Sequence, residues 1–135
     1  MKHLRLLAGF MLLLASCAKD EAGRIWDVPV DYRVTLQEFQ IKNKNNILLV
    51  SNKGISGLII YKRPDGGFSA FDRCSSVNPE SKCAVVPDES GFTATDPCSG
   101  AKFSLFDGSP AKAPAKRPLK EYRVNVTNYD ISVIN

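Results

Sequence analysis

Residues 58–71, with the sequence LIIYKRPDGGFSAF, contain two apolar segments separated by a strong turn signal. Residues 58–61 form a short continuous apolar run, which is typical of a buried strand. Residues 62–67 combine Pro, which fixes φ, with Asp-Gly-Gly, which tolerates the positive φ of a tight turn. Residues 68–71 then supply a returning strand. This stretch therefore predicts a β-hairpin in the middle of the chain.

Further strand patterns lie on both sides of this hairpin. In residues 28–36 apolar and polar side chains alternate, and a period of two indicates one strand with a buried face. Residues 47–50 are another short apolar run, and residues 122–133 predict two strands joined by a turn. Residues 37–40 predict at most a short helical turn. We therefore expect an all-β protein.

The N-terminus resembles a secretory signal. Lys2 and Arg5 precede an apolar run at residues 6–15, which is too short to span a bilayer as a mature helix. Leu14-Ala15-Ser16-Cys17 resembles a bacterial lipobox, which implies a lipoprotein signal peptide at residues 1–16 and acylation of Cys17. The alternative is an ordinary signal peptide with Cys17 as a disulfide partner.

After this signal we expect a lipidated tether at residues 17–27 and one domain at residues 28–135. Residues 18–21, AKDE, resemble the surface-export signal of Bacteroidetes lipoproteins, although a tether with ordinary charges explains them equally well. Trp26 is expected to pack onto the domain. The acyl chains would bind the membrane, which predicts a place in the bacterial cell envelope, at the outer membrane and facing either the periplasm or the surface.

Composition excludes several classes of function. The net charge of +4 is small, and we interpret the local cluster of Lys112, Lys116, Arg117 and Lys120 as a solvated loop, so no nucleic-acid partner is expected. His3 is the only histidine in the chain, and it lies in the predicted signal peptide. Histidine-dependent nucleophile activation is therefore excluded in its usual form. We expect no enzyme; the best enzymatic alternative is a thiol redox role for Cys74.

Three cysteines remain when Cys17 is assigned to lipid: Cys74, Cys83 and Cys98. In an exported protein an odd number favours one disulfide and one free thiol. Counting does not identify the pair.

Four segments in and after the Pro-, Ser-, Asp- and Gly-rich middle of the chain resemble the Rieske family in order and spacing. Residues 71–76, FDRCSS, resemble its first cluster-binding loop, and residues 96–103, DPCSGAKF, resemble the second. Residues 105–110, LFDGSP, and residues 113–122, APAKRPLKEY, resemble later family segments, with Ala113 in place of the usual Gly. The resemblance runs from about Gly57 to Val133. A weaker similarity to Rieske-like lipoproteins of Bacteroidetes extends back to Val28.

The resemblance implies a Rieske-like antiparallel β-sandwich with a small two-loop subdomain at residues 72–107. It also implies a lost cofactor, because a Rieske centre binds iron through two Cys and two His. In the first loop Cys74 or Ser75 stands at the Cys position, and Ser76 or Val77 at the His position. In the second loop Asp96 stands at the Cys position and Ser99 at the His position. The degenerate ligand positions are thus Cys74, Ser76, Asp96 and Ser99, and neither a cofactor nor a metal is expected.

The resemblance also implies a disulfide between the two loops, as in high-potential Rieske proteins. Cys98 matches its second partner. Cys83 is the closest match to the first partner, and Cys74 is the alternative.

These expectations combine into a membrane-anchored, non-catalytic binding or structural module. It would contact an envelope protein through a loop tip formed around residues 75–79 and 97–101. The alternative is an electron-transfer protein with an atypical [2Fe–2S] cluster held by the three cysteines and Asp96.

Overall fold

In a computed structural model of the chain, which describes residues 24–135, ten strands form two antiparallel sheets. The signal peptide predicted at residues 1–16 and the lipidation predicted at Cys17 lie outside the described residues. Among residues 24–135, no helix has the length and apolar character needed to cross a membrane.

The ten strands are short, and one α-helix and one 3₁₀ turn lie between them along the chain. The strands are β1 (Asp31–Thr35), β2 (Ile47–Val50), β3 (Leu58–Lys62), β4 (Phe68–Asp72), β5 (Val86–Pro87), β6 (Thr93–Thr95), β7 (Lys102–Ser104), β8 (Pro110–Lys112), β9 (Glu121–Val126) and β10 (Asp130–Ile134). The helix α1 is Leu36–Lys42, and the 3₁₀ turn is Pro79–Ser81. The larger sheet has the order β1-β10-β9-β4-β3-β2, and the smaller has the order β5-β6-β7-β8.

The predicted hairpin is β3 and β4. Its register pairs Leu58 with Asp72 and Lys62 with Phe68, and the turn is closed by the Arg63 N–H donating to the Gly67 carbonyl at 2.8 Å. Gly66 adopts a φ of 87°, which is why the turn requires glycine there.

The single strand predicted for residues 28–36 is wrong at both ends, since β1 begins only at Asp31. The strand stops at Thr35, whose hydroxyl accepts a hydrogen bond from the Glu38 N–H at 3.0 Å and caps α1. Leu36 therefore begins the helix. The turn of the chain also buries Phe39 edge-to-face against Phe68, with ring centroids 5.2 Å apart. This capping and aromatic contact outweigh the continuing alternation of the sequence.

Both faces of the larger sheet are buried at its central strands β3 and β4, which explains the continuous apolar run of β3. Leu58 and Ile60 belong to a core shared with α1, β1 and β10. Ile59 and Phe71 point to the opposite face and join a second core with residues of the smaller sheet and its loops, including Phe103 and Leu105. This second core holds the two sheets together and positions the loops between them.

The start of the described chain packs on the domain. Ile25 is only 8% exposed although it lies in the segment predicted to be a tether. Trp26 is 41% exposed, and the Lys82 ammonium group lies 6.0 Å from the centre of its ring. Asp27 forms an ion pair with Lys120. Trp26 thus packs beside one of the loops that resemble the Rieske motifs.

Candidate functional site

Two loops meet at one end of the smaller sheet. The first loop (residues 73–85) connects β4 to β5, and the second loop (residues 96–101) connects β6 to β7. A disulfide joins Cys83 of the first loop to Cys98 of the second, and Cys74 is free and buried. The pairing of Cys83 with Cys98 is confirmed, and the alternative pairing of Cys74 with Cys98 is wrong.

Asp96 connects the same two loops by hydrogen bonds. One carboxylate oxygen, Oδ2, accepts from the Ser75 hydroxyl and from the Ser99 hydroxyl, each at 2.7 Å. The other oxygen, Oδ1, accepts from the Cys98 N–H at 2.8 Å. Asp96 and Ser75 are fully buried. We call Ser75, Asp96 and Ser99 the polar triad.

The charge on Asp96 is stabilised locally. Burial alone raises the pKa of Asp96, but hydrogen bonds from Ser99, Ser75 and the Cys98 N–H outweigh burial and lower its pKa below the ordinary 3.8. Asp96 is therefore a carboxylate at neutral pH. A buried charge of this kind is stable only when its hydrogen bonds are satisfied, and here they are.

The other predicted positions point elsewhere. The Cys74 Sγ lies 3.5 Å from the Pro79 carbonyl oxygen, inside the first loop, and burial raises the pKa of its thiol. The Ser76 hydroxyl donates to the Arg117 carbonyl at 2.7 Å, towards the segment after β8. Of the four degenerate positions, the structure thus brings together only Asp96 and Ser99. Their partner from the first loop is Ser75, the alternative to Cys74 at the Cys position.

A second carboxylate, Asp72, organises the start of the first loop. Its Oδ1 accepts from the N–H groups of Ser56 at 3.0 Å and Cys74 at 2.8 Å. Its Oδ2 accepts from the Ile55 N–H at 2.6 Å and the Tyr122 hydroxyl at 2.8 Å. Burial, followed by the hydrogen bond to Asp72, raises the pKa of Tyr122.

This role of Asp72 was not predicted from the sequence, although a signal was present. Asp72-Arg73-Cys74 and Asp96-Pro97-Cys98 share the pattern Asp-x-Cys, and in both the carboxylate accepts the N–H of the Cys two residues later. Such Asx turns are a known way for Asp to stabilise a loop. The repeated pattern indicates that each loop is built on a buried aspartate.

Three atoms at the tip lie close enough to bind one metal ion. The Cys83 and Cys98 sulfurs and a carboxylate oxygen of Asp96 lie within 4.8 Å of one another. Both sulfurs belong to the disulfide, so neither is a thiolate in this structure.

The exposed part of the tip is narrower than predicted. Ser75, Ser76, Pro79 and Ala101 are buried and cannot contact a partner. The exposed residues of the two loops are Asn78, Glu80, Ser81, Lys82, Pro97, Cys98 and Ser99.

A separate cavity of about 230 Å³ lies between β2 and β5. Its walls are mainly apolar and include Ile47, Leu49, Val86 and Pro87. It contains none of the predicted site residues.

Comparison with solved structures shows a Rieske-type fold. A plasma membrane Rieske protein of the cyanobacterium Synechocystis PCC 6803 is 25% identical, with a TM-score of 0.56 over 79% of this chain and 98% of that chain. The ferredoxin of carbazole 1,9a-dioxygenase from Nocardioides aromaticivorans IC177 is 17% identical, with a TM-score of 0.53 over 79% of this chain and 97% of that one. At this identity the second likeness concerns the fold alone. The all-β Rieske-like architecture predicted from the sequence is confirmed.

No family model matches the chain. A probable cytosolic iron–sulfur protein assembly protein of Caenorhabditis elegans, a CIAO1 homolog, is 28% identical over 109 residues. These residues cover 70% of this chain but only 32% of that protein, so the chain spans about a third of its length.

Proposed function

We propose that this chain is a Rieske-fold module that binds no [2Fe–2S] cluster and acts as a non-catalytic binding or structural protein, held by lipid in the bacterial cell envelope. The observation that carries the proposal is the polar triad. Ser75, Asp96 and Ser99 stand at positions that resemble cluster ligands, and the hydroxyls of Ser75 and Ser99 each donate to the Asp96 carboxylate at 2.7 Å.

The residues present do not fit the cluster. A Rieske centre needs two imidazoles and two thiolates, whereas the only histidine is His3, far from the loops in sequence. Cys83 and Cys98 are consumed by their disulfide, and the Cys74 sulfur is directed to the Pro79 carbonyl. The donors that remain are two hydroxyls and one carboxylate, which do not replace that ligand set.

The hydrogen bonds of the triad replace the mechanical role that a cluster would have. They tie the first loop to the second, and the disulfide ties them a second time. A loop tip held at two points loses little conformational entropy when it binds a partner. Its exposed residues, among them Asn78, Lys82, Pro97 and Ser99, offer a small polar surface that suits another envelope protein.

The absence of a cluster is tested by measuring visible absorption, iron and acid-labile sulfide in the full chain, produced with added iron under oxidising and under anaerobic conditions. We expect a colourless, folded protein with neither iron nor sulfide. Stoichiometric iron with sulfide charge-transfer bands would overturn the proposal and make electron transfer the function of the chain.

The binding role is tested by photo-crosslinking in the cells that make the protein. A photoreactive residue at Lys82 or Ser99 is expected to give a discrete adduct with another envelope protein. The matched control is Arg123, an exposed residue of β9 outside the two loops, which should give none. No adduct from the tip, or equal adducts from tip and control, would contradict a tip interface.

A further inference from the structure

The tip contains the Cys83–Cys98 disulfide, which lies beside the buried carboxylate of Asp96. Cys98 is exposed, whereas Cys83 and Asp96 are buried beneath it. The three ligand atoms lie within 4.8 Å of one another and come from two different loops. Reagents in solution can therefore reach the disulfide at Cys98, while the protein holds the other two groups in place.

We propose that reduction of the Cys83–Cys98 disulfide converts the tip into a binding site for a divalent cation of the zinc class. The ligands are the Cys83 and Cys98 thiolates and the Asp96 carboxylate. The proposal goes beyond the proposed function, which concerns the disulfide-bonded protein and the [2Fe–2S] cluster.

The redox step needs an external two-electron reductant, for which a dithiol serves; a phosphine serves equally and becomes a phosphine oxide by taking the oxygen of water. A thiolate of the dithiol attacks one sulfur of the disulfide, and exchange is completed when its second thiolate displaces the remaining protein sulfur. The dithiol becomes a disulfide and gives up two electrons. The Cys83–Cys98 bond is broken, and two protons end on the Cys83 and Cys98 sulfurs. Binding of the cation then displaces these protons to solvent, because only thiolates ligate.

The donor set selects the metal. Two thiolates and a carboxylate suit zinc, whereas magnesium and calcium take oxygen ligands. With Zn–S bonds of about 2.3 Å and Zn–O bonds of about 2.0–2.2 Å, tetrahedral ligands lie roughly 3.3–3.8 Å apart. The three atoms of the tip already lie within 4.8 Å of one another, and after reduction the two sulfurs, which are bonded to each other in the disulfide, move apart to reach this spacing.

Asp96 is oriented for this role. Its Oδ2 accepts from the Ser75 and Ser99 hydroxyls, its Oδ1 accepts from the Cys98 N–H, and the Ser99 N–H also donates to the carboxylate. A carboxylate has about four lone-pair sites, so a metal bound by Asp96 takes the place of one of these donors while the Ser75 and Ser99 hydroxyls orient the carboxylate. The fourth coordination position faces solvent at exposed Cys98, which gives the open geometry of sites with three protein ligands.

The test uses the full chain with Cys17→Ser in every protein, which removes the cysteine outside the described residues. The chain is reduced with a phosphine under argon, and Co²⁺ and then Zn²⁺ are titrated. We expect about one Co²⁺ per chain, with thiolate-to-cobalt charge-transfer absorption that Zn²⁺ displaces. The disulfide-bonded protein should give no such absorption. Reduced protein that binds neither metal would overturn the proposal.

Single substitutions identify the ligands. Cys98→Ser and Asp96→Asn should each weaken zinc binding by more than about tenfold. Even residues that only orient a metal ligand cost about 10–100-fold in affinity when they are replaced. Cys74→Ser, at a buried cysteine outside the three-atom group, is the matched control and should leave affinity unchanged. Unchanged affinity in Asp96→Asn, or lost binding in a folded Cys74→Ser protein, would contradict the assignment.

X-ray absorption of the zinc-loaded, reduced chain that carries only Cys17→Ser does not depend on how any variant at the tip folds. Two sulfur neighbours with the remainder oxygen support the site, whereas three sulfurs or none would overturn it. The result is independent of the iron and sulfide measurement, so a failure of the zinc site and a failure of the proposed function are distinguishable.

Discussion

The carboxylate of Asp96 carries a negative charge. Within the described chain, no cationic group forms a hydrogen bond with it. Its stabilisation comes from hydrogen-bond donors alone: the Ser75 and Ser99 hydroxyls and the Cys98 and Ser99 N–H groups. Hydrogen bonds to a charged group contribute about 1.5–3 kcal/mol each, more than bonds between neutral groups. The polar triad is therefore a structural support in which the charge is essential.

We predict that Asp96→Asn destabilises the domain by about 1–3 kcal/mol at neutral pH, because an amide cannot accept from all of these donors. The folded pKa of Asp96 lies below 3.8, so its contribution is present above that value and is lost as the pH falls through the folded pKa. The stability difference between wild type and variant should accordingly shrink in acid. Urea unfolding over a series of pH values measures it.

Glu121→Gln, at an exposed residue of β9, is the control for removal of one carboxylate and should change stability little. A difference between wild type and Asp96→Asn that stays constant from neutral pH into acid would contradict the role assigned to the charge.

Prediction from sequence reaches its limit most clearly at Ser75. The motif left Cys74 and Ser75 as alternatives for the Cys position. Adjacent loop residues fit the spacing of the motif equally well and differ in the direction of their side chains. The choice depends on backbone contacts such as the Ser75 N–H donating to the Cys83 carbonyl at 2.9 Å. No local pattern reports a contact of that kind, so Cys74 was assigned the place that Ser75 takes.

At the scale of elements, the six strands of the larger sheet and the central hairpin could be predicted because alternation and turn residues are local signals. The four short strands of the smaller sheet were not predicted. The pairing of Cys83 with Cys98 could be predicted only through the family resemblance. Between Cys74 and Cys83 the chain makes a 3₁₀ turn flanked by Asn78 and Lys82 in left-handed conformation, with φ of 54° and 51°. Lysine rarely adopts that conformation, so the sequence alone does not predict where this turn directs Cys83.

The role of Asp72 also depends on separated elements. Its donors include the Ile55 N–H, 17 residues away, and the Tyr122 hydroxyl, 50 residues away. Gly54, with a φ of 65°, makes this possible because a Cβ there would collide with the Asp72 carboxylate. These hydrogen bonds form only when β4, β9 and the chain before β3 have already come together, which explains why strand-by-strand prediction did not find them.

At the scale of the whole molecule, the larger sheet contributes to both cores. Ile59 and Phe71 on one face and Leu58 and Ile60 on the other are fully buried. The loops of the smaller sheet thus rest on the same strands that pack against α1. Because the cores share these strands, neither should unfold while the other remains intact.

Phe103 of β7 tests this coupling. It is fully buried in the core between the sheets, and truncation of such a side chain costs about 3–5 kcal/mol. We predict that Phe103→Ala lowers stability by this amount and that unfolding remains a single transition. Far-UV circular dichroism should report the whole domain. Fluorescence of Trp26, the only tryptophan, should report the environment of the first loop beside Lys82.

Phe92→Ala, just before β6, removes a side chain that is 62% exposed and should stay within about 0.5 kcal/mol of wild type. If fluorescence changed well before circular dichroism in Phe103→Ala, the tip would unfold alone. The two loops would then unfold as a separate unit and would not belong to the cooperative fold of the domain.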